Sequence, residues 1–151
     1  MTMLVVLHVL AAVVWVGGMF FAYMVLRPAA GPLEPALRLA LWRRVFSGFF
    51  PWVWASIAVL LASGYAMLFI HFGGFARAGL HIHLMQTTGI LMMLLFAHLF
   101  FAPRRRFSRA VETGALAEAA AALNQIRRSV AINLVLGLLT VTVGASGRFW
   151  S

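Results

Sequence analysis

The chain has 151 residues, 64% of them hydrophobic and 10% charged, with a mean hydropathy of +0.98 and a net charge of +9. Soluble domains are about half apolar and about a quarter charged, so this composition runs against a soluble globule, a disordered chain or a nucleic-acid-binding domain. Cysteine is absent and the only acids are Glu34, Glu112 and Glu118, which removes disulfides, thiolate metal sites, cysteine nucleophiles and paired-carboxylate chemistry.

A membrane helix needs about 20 mostly apolar residues to cross about 30 Å of hydrocarbon. Four stretches meet that requirement, at 3–26, 46–71, 80–102 and 129–147. The first is too long for a signal-peptide core and lacks a basic leader, so it reads as a retained span. Residues 34–45 alternate Leu and Trp with Arg and are expected to lie in the interface before turning into span two. Pro51 falls near the start of that span, where its missing N–H does least harm. Gly73 and Gly74 mark a tight connection to span three. Residues 115–128 are strong helix formers and are expected to run straight into span four. The fold expectation is all-α, one transmembrane domain over 1–151, a four-helix up-down-up-down bundle.

All twelve basic residues are arginine. Arg27, Arg38, Arg43 and Arg44 lie between spans one and two; Arg104, Arg105, Arg106, Arg109, Arg127 and Arg128 lie between spans three and four. Only Arg77 and Arg148 remain for the other side. The positive-inside rule predicts a bacterial inner-membrane protein with both loops in the cytoplasm and both termini outside. The basic charge is then a topology signal, with anionic lipid headgroups as its counter-charge and no nucleic acid implied.

Ionisable side chains inside a bilayer are costly and usually functional, which directs attention to the histidines. At 1.5 Å per residue, His8 lies about 7 Å inside the outer boundary of span one, and His83 enters span three about 4–5 Å from the same boundary. His81 and His71 sit nearer the surface. His98 lies about 22 Å further down span three, at the depth of Asn133 on span four, and this pair reads as a second polar site or clasp. At about 100° per residue, His81 and His83 cannot both point into the bundle. Gln86 continues near the His83 side, and His8, Ala12, Trp15 and Met19 form one stripe on span one.

Imidazoles from different helices at one depth suit iron or copper. One reading is a haem b protein with His8 and either His81 or His83 as axial ligands. Arg77 and Arg148 would meet the propionates, Trp15 and Gln86 would line the pocket, and a quinone, a porphyrin or an unidentified redox partner would exchange electrons. Any catalysis would be that of an oxidoreductase. The alternative is a copper-handling protein using His8, His81 and His83, which as a permease is narrow unless it forms a homo-oligomer. A third reading is a cofactor-free assembly subunit.

The segment LHVLAAVVWVGGMFFAYMVLRP in span one resembles the opening helix of the CopD/HemJ-like membrane proteins: a histidine near the outer end, a tryptophan seven residues on, then glycines. GLHIHLMQ at 79–86, AHLFFAPRRRF at 97–107 and LNQIRRSVAINLVLGLLTV at 123–141 are similar to that family's later segments in order and spacing. The resemblance implies four spans and either haem b or copper. It maps His8, His81 and His98 onto the family's first-helix, third-helix entry and third-helix exit histidines. His83 stands where the HemJ pattern has a lysine, and VLRPAA at 25–30 replaces its first-helix ending. Both departures weigh against protoporphyrinogen oxidation, the activity of the HemJ-like members.

Overall fold

The computed structural model describes residues 1–150, with Arg148 as backbone only. Helix α1 spans Thr2–Ala29 and α2 Pro35–Ile70; α3 spans Leu80–Phe101, α4 Pro103–Glu112 and α5 Leu116–Ser146. No strand occurs among the described residues. Four helical stretches, with α3 and α4 taken together, are long and apolar enough to cross a membrane. In their most apolar windows only 17% to 28% of residues are buried inside the bundle. Val5, Leu10, Val13, Phe20 and Leu94 face outward, as expected where the solvent is lipid rather than water.

The breaks follow from local chemistry. Pro35 opens α2 and Pro103 opens α4, at first-turn positions that need no N–H donor. Gly73 and Gly74 turn the chain with φ of 71° and 91°, and Gly114 ends α4 with φ of 71°. These are left-handed angles that a Cβ would strain. Residues 115–128 join the last span as one helix, as their composition predicts.

Residues 34–45 depart from expectation. They do not lie along the interface but form the first turns of α2, which is unbroken from Pro35 to Ile70. Leu39, Trp42, Phe46 and Phe50 recur at helical spacing, and all four are buried in the core. That stripe packs inward, with Phe46 edge-on to Phe107 of α4, so the segment's aromatic face is spent on protein and not on lipid. Pro51 consequently sits mid-helix on an exposed face rather than at a span start.

Helix pairing can be read from contacts. On α1 and α2, His8 meets Ser63 and Gly64 while Gly18 lies against Phe49, so the two run in opposite directions. On α3 and α5 the opposed contacts are Met85 with Gly144, Thr88 with Thr140, and Met92 with Gly137, while His81 meets Gly147 just past the end of α5. Thr140 donates to the Thr88 hydroxyl at 2.7 Å, and Thr88 donates on to the Leu84 carbonyl at 2.9 Å. The two pairs meet in mid-bundle. There Val16 closes on Gly137, and Trp15 (2% exposed) packs edge-on to Phe96 at 6.2 Å. The arginine-rich half is filled by aromatic rings, Phe46 stacked on Phe50 and Phe50 edge-on to Phe96. Such pairs contribute about 0.5–1.5 kcal/mol each beyond area burial.

Gly137 is the close crossing at mid-bundle, where both helix pairs meet. A Cβ there would stand 2.9 Å from Val16 Cγ2 and 3.1 Å from Met92 Cε, whereas one at Gly17 meets nothing within 4 Å. Gly137→Ile is expected to destabilise by about 1–3 kcal/mol through overpacking. Gly17→Ala should be neutral or stabilising by up to about 1 kcal/mol, from helix propensity. Thermal melting of both variants in detergent measures the difference.

Candidate functional site

The bundle has two chemically distinct ends. Arg27, Arg38, Arg43, Arg104 and Arg127 gather at one, where Arg43 is paired with Glu112 and Arg104 lies over the Phe100 ring at 4.5 Å. His8, His71, His81 and His83 belong to the other, as their depths predict. Being at one end does not bring them together. Among the described residues, no three His, Cys, Asp or Glu side chains are grouped so as to hold a metal.

His8 is half-buried, as are His81 and His83, and its surroundings are specific. Its Nδ1 is 2.9 Å from Ser63 Oγ on α2. The Ser63 hydroxyl donates to the Val59 carbonyl one turn back, at 2.6 Å. A hydroxyl has one proton; with that proton on the Val59 carbonyl, Ser63 is left to accept, which favours the neutral His8 tautomer with its hydrogen on Nδ1. Nε2 is then the nitrogen with the lone pair. Gly64 makes this approach feasible, since a Cβ there would stand 3.3 Å from His8 Cε1. Ser63 was not singled out by the sequence reading. The available signal was a Ser-Gly pair in an otherwise apolar stretch of span two, at the depth of His8.

The other predicted residues have separate environments. His81 leans on Gly147, just past the end of α5, and lies edge-on to Trp150 at 6.4 Å. His83 stacks on Phe75 at 6.5 Å, and Phe75 in turn packs on Phe69 and Tyr65. Gln86 donates to the Tyr65 hydroxyl at 3.2 Å, tying α3 to α2. Arg77 is exposed and folds its aliphatic stem over Gly73. The Arg148 side chain lies outside the described residues. Trp15 is on the expected stripe, but as a core residue: Ala11, Val16 and Met19 are buried beside it, and its Nε1 has no hydrogen-bond partner.

The second polar site does not assemble as the matched depths suggested. His98 is exposed on α3, while Asn133 is 2% exposed and donates to the Met92 carbonyl at 3.2 Å. Depth places the two residues level, but azimuth turns His98 outward. Met85 packs its Cε against Gly144.

The family model for copper resistance protein D, CopD, matches residues 43–146. The chain belongs to the CopD family. No curated protein and no solved structure matches it. The match supports a multi-pass membrane protein related to copper resistance and does not carry the HemJ part of the resemblance with it. It begins at Arg43 and so leaves α1, with His8, outside the matched stretch.

Ser63 is the group that fixes the His8 ring, which makes the tautomer measurable. Two-dimensional ¹⁵N–¹H spectra of ¹⁵N-histidine-labelled protein are expected to place the His8 proton on Nδ1. In Ser63→Ala that preference should be lost. A His8 proton on Nε2 in the wild type would overturn the assignment.

Proposed function

We propose that this CopD-family protein handles copper, and that His8 Nε2 is the atom that first takes the ion at the histidine end of the bundle. The observation carrying the proposal is the Ser63–His8 hydrogen bond. Metal-ligating histidines characteristically donate their other ring N–H to a neighbouring acceptor, which fixes the ring and raises its basicity. Imidazole suits copper by ligand type, and the family description points to the same metal. Copper here is cargo. His83 and His71 at the same end supply further imidazoles for a stepwise hand-over, each weak enough to release the ion. The arginine distribution supports an inner-membrane orientation with this end on the outer face.

Haem b fits the side chains less well. Two axial imidazoles must face each other across a flat gap, yet His8 packs on α2, His81 on Gly147 and His83 on the Phe75 ring. No opposed pair results.

Competitive titration of the purified protein with a chromogenic Cu(I) chelator tests the copper reading. His8→Ala is expected to abolish the tightest binding, and Ser63→Ala to weaken it about tenfold or more, as loss of an outer-shell partner does. In cells, His8→Ala should behave like the gene deletion in copper accumulation measured by mass spectrometry. Unchanged Cu(I) affinity in His8→Ala would overturn the proposal, and a Soret band in the purified wild type would redirect it to haem.

A further inference from the structure

The arginine-rich end contains a crevice between α1, α2 and α5 that the copper reading does not use. Its walls are apolar, formed by Met19, Val45, Phe49 and Val130 among others, and Arg27, Arg127, Tyr23 and Trp42 also line it. These polar groups are mostly donors. Arg127 is half-buried, and its Nε is buried without a hydrogen-bond partner. Trp42 is 3% exposed, and its indole Nε1 is also buried and unpartnered. An indole N–H and a guanidinium have no acceptor lone pair to offer each other, so they cannot satisfy one another although Arg127 lies over the Trp42 ring at 5.8 Å.

Charge is unbalanced at the same place. Arg27 and Arg38 both repel Arg127. The one described ion pair, Arg43 with Glu112, is made by other residues. Arg127 Nη1 reaches only the Asn124 side chain, at 3.5 Å, and Arg38 Nη1 donates to the Gly31 carbonyl at 3.1 Å. Unpaired buried donors and clustered like charges are both costly. A single occupant with anionic oxygens would relieve both costs.

We propose that this crevice binds one anionic phospholipid from the leaflet at the arginine-rich end. Its headgroup phosphate accepts from Arg127, Arg27 and Trp42 Nε1, and an acyl chain lies along Phe49, Val45 and Val130. The apolar walls decide between sources of phosphate. They continue from the charged mouth along the flank of membrane-spanning helices, where an acyl chain is already present and a soluble anion has nothing to place.

Native mass spectrometry of the intact protein, exchanged into detergent with equal amounts of phosphatidylglycerol and phosphatidylcholine of matched chains, tests the proposal. Wild type is expected to retain one phosphatidylglycerol with a preference of about tenfold or more, given the attraction per arginine near a lipid surface. Excess inorganic phosphate should not displace it. The preference should vanish in the R27Q/R127Q double variant and persist in R105Q/R106Q, which removes the same charge elsewhere. Trp42→Phe keeps the ring and removes the N–H; it is expected to weaken retention about threefold. Trp42→Phe also provides the test if the double arginine variant does not fold. Equal retention of both lipids by wild type, or an unchanged preference in R27Q/R127Q or Trp42→Phe, would overturn the proposal. Displacement by inorganic phosphate would overturn it in favour of a soluble anion.

Discussion

Lipid tails are as apolar as the side chains of a membrane helix, so helices in a bilayer gain little from hiding hydrophobic surface and must associate through close contact and a few hydrogen bonds. This chain meets that constraint with small residues set against large ones. Gly137 receives Val16 and Met92, Gly144 receives Met85, Gly147 receives His81 and Gly18 receives Phe49. The Thr140–Thr88 bond and the Asn133 bond to the Met92 carbonyl add polar links along the α3–α5 seam. Everything functional rests on the resulting register. His8 can reach Ser63 because Gly64 lets the ring approach α2.

How much of this was legible follows from which property each feature depends on. Spans depend on hydropathy summed over many residues, and the four apolar stretches needed no further information. Depth along a helix depends on counting, so four of the five histidines were correctly assigned to one end. Azimuth depends on which neighbour a helix chooses, and there counting alone was insufficient. His98 and Asn133 point differently, and His8, His81 and His83, at one end of the bundle, face three different surroundings. In α1 the turns at Val13–Gly17 and Phe21–Leu26 are π-helical. Phase carried past them at about 100° per residue accumulates error.

Residues 34–45 illustrate a different limit. Alternating Leu, Trp and Arg is the composition of an interfacial helix, but it is equally that of a helix extending beyond the bilayer with one face packed on protein. The choice was made by Phe107, Ala119 and Ile126, all fully buried, which give Leu39 and Trp42 a protein surface to cover. Local sequence contained the stripe and not its partner. Ser63 escaped notice for the same reason: a serine in an apolar span commonly bonds to its own helix carbonyl. Only the position of α1 makes its remaining lone pairs useful to a histidine.

The shortage of acids connects the two ends. With twelve arginines and three glutamates, internal pairing is impossible for most of the positive charge, and the Arg43–Glu112 pair accounts for one arginine. The remainder must be balanced from outside the chain, by water and by the membrane surface. An anionic leaflet attracts such a cluster by roughly 1 kcal/mol per arginine, and a cluster on one side only makes the two possible orientations unequal. On the proposed reading, the arginines at one end therefore decide which face of the membrane His8 presents at the other. The direction in which copper meets the protein is then a property of charges on the opposite side of the bilayer.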